Sequence, residues 1–399
     1  MGDLDRDAAL ARAGEHLFSM GLGDAAARMS ERNMTYGLAK MHYVQQQLGD
    51  PPDAVFIGTP DLTVTRNQAR WLAGIGYGGR ICWGEGDRPY VFLDVKPNAC
   101  GMLVGALETL PPPAELTRRL DMMLEDRAQL DGVTIDWDIG TGNHFVDLMA
   151  IETLDPSIAL PPHCFVLHFS GEELRGDNPL GMGLYWDHSD ELRRRMRVFD
   201  TPWGPCRVLL DDAAAEYWEF FQRADAFVRR RRLMAAQRLF DDFTVIANLH
   251  HQGLVSPNAM LLGCQDTSAG GLVPVMLRES TPSYLFRPLP NLADEIIGLL
   301  GWRERAERHG VIERLRTANI IPHGAGYMLP GISQLAAVHE IGERRYYEVE
   351  ASEGGVRIVL GIPRDLTYAY RGRRVILASA EYRLGEIAAR LQPLSVLKA

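Results

Sequence analysis

Two spacings of apolar side chains divide this chain into predicted helices and strands. The first 50 residues repeat apolar positions at intervals of three and four, which is typical of amphipathic helices, and the pattern stops near Gly49. Residues 211–243 keep the same spacing more regularly, from Tyr217 to Val228. Residues 114–130, after a run of prolines, and residues 380–391 are also predicted to be helical.

Short apolar runs bounded by glycine, proline or polar residues predict strands between these helices. The predicted strands lie at 54–57, 90–95, 165–169, 272–277, 284–286, 346–350 and 356–361, with further regular or extended segments at 103–110 and 133–137. Strands and helices mix along the whole chain, and no internal repeat occurs. The pattern therefore predicts an α+β fold, with residues 1–399 as a single large mixed α/β domain and a helical excursion near 176–243.

The amino-acid composition argues against several classes of protein. The 399 residues are 46% hydrophobic and carry a formal charge of −10, so a disordered chain or a nucleic-acid coat protein is not expected. No signal peptide or membrane-spanning run is present, and the five cysteines form no CxxC pair, which favours a reducing cytoplasm and no membrane partner. Lysines occur at positions 40, 96 and 398 alone, so the other basic residues are arginines, a bias that codon usage explains.

Four consecutive arginines lie at 229–232, inside the predicted helix 211–243. A run of charge on a helix is usually a solvated face. Contact with phosphate groups is the less favoured alternative. We therefore expect these arginines to face solvent.

Several histidines and one cysteine stand in glycine-rich or strand-end settings, where ligand residues are often found. They are Cys100, His144, His168, His251 and His323. Thiolate and imidazole are soft or borderline ligands that suit Mn, Zn or Fe. The spacings match no zinc-finger or HExxH pattern, so a structural role is the favoured interpretation of each residue taken alone, and only the set as a whole indicates a metal site.

His323 has a second possible role, because Gly324-Ala325-Gly326 follows it. Small residues leave room for a phosphate to approach the imidazole ring, and flexible backbone amides can bind phosphate oxygens. His323 is therefore a candidate covalent nucleophile toward phosphorus. A plain turn is the alternative.

Taken in order, these motifs resemble those of the RtcB-type RNA ligases over about residues 90–399. The motifs are Cys100-Gly101-Met102, GTGNHF at 140–145, LHFSG at 167–171 followed by Arg175-Gly176, HHQ at 250–252, HGAG at 323–326 and Lys398 near the end of the chain. That family uses GTP and manganese to join an RNA 3′-phosphate to a 5′-hydroxyl through a histidine–GMP intermediate.

The resemblance implies a role for each matching residue. His323 would be the nucleophile, and Cys100, His144, His168 and His251 would be metal ligands. The nucleotide-binding residues would be Asn143 at the GMP phosphate, Asp147, Gly324, Ala325, Gly326 and Lys398 at the guanine. The implied partners are a nucleoside triphosphate and either RNA ends or a small-molecule acceptor.

The chain also departs from the family pattern. Pro97 stands where the family has a metal-binding aspartate, and Asp94 is the nearest carboxylate that could replace it. Gln252 and Tyr327 replace a family asparagine and arginine, and the loops that hold nucleotide phosphates are not found. These losses predict a divergent relative that keeps one metal ion and whose acceptor is either RNA or another substrate.

Three hypotheses remain open at this level. The first is an RtcB-like ligase that transfers a nucleotide through His323. The second is a mononuclear metalloenzyme of another class, such as a hydrolase, a lyase or an oxygen-using enzyme, on the same fold. The third is an inactive binding relative without metal.

Overall fold

The computed structural model describes residues 3–86, 88–140 and 144–397, and it has an α+β fold. The helices are α1 (Asp3–Glu15), α2 (Ala25–Leu48), α3 (Gln68–Ala73), α4 (Pro113–Glu125), α5 (Asp190–Arg195), α6 (Asp211–Leu239), α7 (Asp294–Leu299), α8 (Arg303–Arg308), α9 (Ile312–Arg316) and α10 (Arg374–Glu381). The strands are β1 (Leu17–Ser19), β2 (Val55–Thr63), β3 (Tyr77–Cys82), β4 (Tyr90–Phe92), β5 (Cys100–Leu107), β6 (Gln129–Leu130), β7 (Val133–Thr134), β8 (Phe145–Thr153), β9 (His163–Phe169), β10 (Arg197–Thr201), β11 (Gly204–Leu210), β12 (Thr244–Ser256), β13 (Ala259–Leu262), β14 (Cys264–Asp266), β15 (Val273–Val275), β16 (Ser283–Pro288), β17 (Ile320–Pro322), β18 (Tyr327–Met328), β19 (Ile332–Ile341), β20 (Arg344–Ala351), β21 (Arg357–Leu360), β22 (Ala369–Tyr370) and β23 (Gly385–Leu397).

One large sheet organises the molecule. Its strands follow the order β1-β2-β3-β13-β12-β5-β9-β8-β23-β16-β15, and the neighbours are antiparallel except β1 and β2. Strands β2, β5 and β9 are almost wholly buried. The middle of this sheet, β12-β5-β9-β8, holds strands whose ends carry the predicted site residues.

Helices α2 and α6 cover parts of this sheet. Helix α2 begins after Asp24, whose side chain accepts a hydrogen bond from the backbone of Ala27, and it ends at Gly49 in the left-handed region. Helix α6 packs against β5, β9 and β12, so its buried face lies behind the middle of the sheet. Among the described residues, no helix combines the length and the apolar character that crossing a bilayer would require.

The prediction of a last helix at 380–391 is wrong for most of its length. The helix α10 ends at Glu381, and β23 begins at Gly385 and pairs with both β8 and β16. Ala388, Ala389 and Arg390 favour helix when taken alone, but pairing on both sides of the strand overrides that local preference.

The predicted helical excursion near 176–243 is also only partly helical. It contains the hairpin of β10 and β11 between α5 and α6, and β11 pairs with β4. Tyr217, Phe220 and Phe221 of α6 lie in the same hydrophobic cluster as residues of α2 and β2. The segment is therefore packed into the main body of the protein.

Candidate metal centre

Four of the five predicted metal ligands lie in or directly beside four strands that are neighbours in the sheet. Cys100 begins β5, His168 lies near the end of β9, His144 directly precedes β8 and His251 lies in β12. Met102 pairs with His168, and Phe145 also pairs with His168. Because β12, β5, β9 and β8 are adjacent, residues that are far apart in the chain meet in one region of the sheet.

A β-bulge places His251 in this group. His250 pairs with Gly101 and Gln252 pairs with Cys100, so His251 is the extra residue between two paired positions. A bulge bends the strand and changes the direction of a side chain, and bulges are common beside active sites. The neighbouring His250 instead directs its Nδ1 to Asp225 of α6, at 2.9 Å. The bulge thus separates the roles of two consecutive histidines.

Cys100, His168 and His251 form a buried group that could bind a metal ion. The Cys100 Sγ lies 3.1 Å from the Nε2 of His168, and that Nε2 lies 3.2 Å from the Nε2 of His251. Ligands of a tetrahedral zinc ion at ordinary bond lengths are roughly 3.4–3.7 Å apart. Small adjustments of these side chains would therefore accommodate an ion, and the donor set fits the group expected from the sequence.

The pKa values of Cys100 and His251 are also shifted in the directions that favour binding of a metal cation. Burial alone would raise the pKa of the Cys100 thiol, but His168, His251 and His144 together lower that pKa well below its usual value. Burial lowers the pKa of His251 to about 3, so this imidazole is neutral near pH 7. Thiolate and neutral imidazole are the forms that ligate metals.

His144 stands beside this group rather than inside it. Its Nε2 is 3.9 Å from the Cys100 Sγ, and its Nδ1 is 2.6 Å from the Oδ2 of the buried Asp138. Burial would lower the pKa of His144, but Asp138 and Cys100 raise it to about 10. With this carboxylate behind it, His144 is placed as an additional ligand or as a positive partner of the thiolate.

His323 lies next to the metal-binding group. Its ring centroid is 4.5 Å from that of His251, and its Nδ1 is 2.9 Å from the Oδ2 of Asp61. Burial would lower the pKa of His323, but Asp61, Cys100 and the Gly263 carbonyl raise it. Asp61 is fully buried in β2 and also accepts a hydrogen bond from Thr59 at 2.5 Å. A buried carboxylate thus fixes the orientation of this imidazole.

The backbone after His323 requires small residues. Gly326 has a φ of +62°, and a Cβ there would lie 2.2 Å from the Asp61 carbonyl oxygen. A Cβ at Gly324 would lie 2.7 Å from the Met276 carbonyl oxygen. The two glycines therefore allow this loop to pack against β2 and beside Met276, which keeps His323 close to Asp61.

A cavity of about 390 Å³ opens over these residues. Cys100, His144, His168 and His323 line it. Four arginines line it as well, Arg66, Arg70, Arg175 and Arg278. Three acidic residues line it too, Asp147, Glu172 and Glu279, so a ligand in this cavity meets charged groups of both signs beside the metal-binding group.

The structure brings most of the expected nucleotide-binding residues to this cavity, because Asp147, Gly324, Ala325 and Gly326 also line it. Asn143 and Lys398 lie outside the described residues.

Asp94 is not brought to the metal-binding group, and this corrects the expectation that it replaces the missing aspartate. It lies in a short 3-10 helix at Leu93–Val95, and its two oxygens accept hydrogen bonds from the guanidinium and the backbone N–H of Arg207, at 2.9 and 3.1 Å. It therefore neutralises Arg207 in the protein interior instead of facing Cys100. Among the described residues, the metal-binding group consists of Cys100, His168 and His251.

The prediction that the arginine run 229–232 faces solvent is wrong for two of its members. Arg231 and Arg232 are fully buried, and Asp138 and Asn248 are among their partners. Hydropathy alone cannot reveal this, because a buried arginine depends on partners that only the fold brings near.

Sequence reasoning also missed Asp61 and Asp138, the carboxylates behind His323 and His144. Neither aspartate stands in a motif that assigns it a partner, so the sequence gives no reason to place either one behind a histidine. No protein-family model matches this chain, and a search of curated proteins found no similar one.

Proposed function

We propose that this chain is a metal-dependent enzyme that transfers a nucleotide through a covalent bond to His323. The observation that carries the proposal is the position of His323, with its Nδ1 held by the buried Asp61 and its ring beside the metal-binding group. A carboxylate on one imidazole nitrogen leaves the other nitrogen to react, as in other orienting pairs of this kind.

The proposed reaction has two halves. In the first, Nε2 of His323 attacks the α-phosphorus of a nucleoside triphosphate. A nitrogen–phosphorus bond forms, and the bond from phosphorus to the pyrophosphate oxygen breaks, with its electron pair leaving on pyrophosphate. In the second half an oxygen of an acceptor phosphate, such as an RNA 3′-phosphate, attacks the nucleotide phosphorus, and the nitrogen–phosphorus bond breaks with its electron pair returning to Nε2. A hydroxyl group then attacks the activated acceptor phosphate, loses its proton and expels the nucleoside monophosphate.

The residues of this chain supply positioning and charge for that reaction. Cys100, His168 and His251 would hold one divalent ion, which when bound would neutralise negative charge on the phosphate oxygens. Arg278 lies in the lining of the cavity, where it can contact phosphate groups, whereas Arg175 there is paired with Glu172. Asp61 orients His323 by accepting a hydrogen bond from its Nδ1, and in the neutral ring this leaves the lone pair on Nε2.

The test is labelling with GTP that is radioactive at the α-phosphate, in the presence of Mn²⁺. Wild-type protein should become labelled, His323→Ala should not, and Asp61→Asn should be labelled at least tenfold more slowly. His188→Ala is the control, because this exposed histidine lies outside the cavity lining. If wild-type protein with bound metal takes no label from GTP, ATP, CTP or UTP, the proposal is wrong.

A second candidate function is a mononuclear metalloenzyme of another class. The observation in its favour is that Asp94 pairs with Arg207, so it does not replace the aspartate that is missing at position 97. This alternative predicts about one metal ion per chain, no nucleotide adduct, and unchanged metal content in His323→Ala. Metal analysis of the purified protein that finds no ion would exclude it.

A further inference from the structure

Two adjacent arginines of α6 lie directly behind the metal-binding group. Arg231 and Arg232 have no exposed surface, whereas Arg230 beside them is about half exposed and pairs with Asp131. Burying a guanidinium group is unfavourable unless its donors find acceptors. The partners of Arg231 and Arg232 therefore indicate what these buried charges do.

Arg231 joins the segment before His144 to the end of β9. Its guanidinium donates to the Asp138 carboxylate at 2.7 Å and to the Ser170 carbonyl at 2.8 Å, and it also contacts the carbonyl of Asp136. Ser170 lies two residues after the ligand His168. The other oxygen of Asp138 contacts the Nδ1 of His144. Arg231 is thus connected to His144 through one carboxylate, and to the strand of His168 through one carbonyl.

Glu173 gives Arg231 a second carboxylate, at 2.9 Å from its Nε. Two buried acids and two carbonyls thus surround one guanidinium, and Asp138, Ser170 and Asp136 accept hydrogen bonds from it. Asp138 is therefore held on both sides, by Arg231 and by His144. The imidazole of His144 cannot rotate without breaking its contact with this carboxylate.

Arg232 contacts the strand that carries His251 and the residue before the strand of Cys100. Its Nε donates to the Asn248 side chain at 2.8 Å, and its Nη1 lies 3.5 Å from the Ala99 carbonyl. Ala99, which has a φ of +53°, directly precedes the ligand Cys100, and Asn248 lies three residues before His251. A Cβ on Gly101 would lie 2.9 Å from the Nη1 of Arg232. This glycine therefore allows the guanidinium to approach the strand of Cys100.

We propose that Arg231 and Arg232 are positioning residues of the metal centre, Arg231 by fixing His144 through Asp138 and Arg232 by fixing the backbone that carries Cys100 and His251. This inference rests on the metal site of the proposed function, but not on nucleotide transfer. A side chain that holds the partner of a ligand typically changes metal affinity by ten- to a hundredfold when it is replaced. Lysine keeps the charge of arginine but lacks its planar set of donors.

The experiment is a titration with Co²⁺ as the probe, followed by optical spectroscopy, because cobalt bound to a thiolate absorbs strongly and its visible bands report ligand geometry. Arg231→Lys and Arg232→Lys should each weaken Co²⁺ binding at least tenfold and shift the visible bands. Arg230→Lys, the control from the exposed part of the same helix, should stay within twofold of wild type.

Asp138→Asn keeps the test decisive if the arginine variants fold poorly. It should produce the same band shift as Arg231→Lys. The double variant that combines Arg231→Lys with Asp138→Asn should bind Co²⁺ no more weakly than the weaker-binding of the two single variants, because both substitutions break the same connection from Arg231 through Asp138 to His144. If the losses of Co²⁺ affinity in the two single variants add up in the double variant, the proposal that Arg231 acts through Asp138 is wrong. Unchanged cobalt affinity and spectra in both arginine variants, with only a lower melting temperature, would overturn the whole inference in favour of a merely structural role.

The two proposals fail in distinguishable ways. A wild-type protein that binds no Co²⁺ would overturn the metal site and this inference together. A protein that shows the expected cobalt changes but takes no nucleotide label would overturn nucleotide transfer alone.

Discussion

At the scale of single residues, the site depends on close approaches that few residue types permit. Asp61 is fully buried and contacts His323, and the chain beyond His323 passes so near to Asp61 that Gly326 has no room for a side chain. The sequence predicted His323 and its glycines from their local pattern. It could not predict Asp61, because the chain between Asp61 and His323 is long and only the fold brings the two together.

Gly326→Ala should destabilise the protein by about 2 kcal/mol or more, because the new Cβ would meet the Asp61 carbonyl and the φ of +62° is unfavourable for alanine. Chemical denaturation measures this difference in the free energy of unfolding. Gly331→Ala is the matched control, since a Cβ there meets no atom within 4 Å, and it should change stability by less than about 0.5 kcal/mol. Equal stabilities for the two variants would contradict the observed packing of this loop.

At the scale of elements, pairing between strands determines which histidine serves the site. The sequence shows His250 and His251 side by side and predicted His251 from the family resemblance alone. The register of β12 on β5 gives the physical reason, because His251 is the bulge residue, whereas the ring of His250 contacts Asp225. The same dependence on pairing explains why local preference failed at 380–391, where β23 lies between β8 and β16.

This register predicts different outcomes for two adjacent substitutions. His251→Ala should abolish stoichiometric metal binding, because it removes one of the three ligands. His250→Ala should retain the metal, although it leaves Asp225 without one of its partners and so lowers stability by about 1–3 kcal/mol. Metal analysis after dialysis compares the two variants, and metal loss in His250→Ala with retention in His251→Ala would show that the register is wrong.

At the scale of the whole molecule, a second group of histidines joins distant parts of the chain. His16 follows α1, His42 lies in α2 and His309 follows α8. The ring of His16 is 4.6 Å from that of His42 and 4.5 Å from that of His309. Burial, then the neighbouring His309, lowers the pKa of His16 to about 4, against the opposing effect of the Ala54 carbonyl and Asp53. Burial lowers the pKa of His42 as well.

These shifts predict an acid-sensitive fold. An unfolded histidine takes up its proton near pH 6.5, but the folded His16 does so only near pH 4, so protons favour the unfolded chain in between. The free energy of unfolding should therefore fall as the pH drops from about 6.5 to 4, by on the order of 3 kcal/mol from His16 alone. Denaturation measured across this pH range tests the prediction.

The variant for this test is His16→Phe, which keeps a flat ring but cannot take up a proton. Its stability should decline less steeply with acid than that of the wild type, while the exposed His188→Gln should follow the wild-type curve. Identical slopes for His16→Phe and wild type would disprove the role of His16.

The arrangement of ligands on β5, β9 and β12 has a consequence for how the protein folds. In the chain, 68 residues separate Cys100 from His168 and 83 separate His168 from His251. Contacts that close such long loops form slowly, and no short segment contains more than one of these ligands. Metal capture should therefore follow the assembly of the central strands rather than nucleate it, and a fragment that ends before β12 should not bind the ion tightly. The rate at which a refolding chain acquires metal would then report the moment when its central sheet is complete.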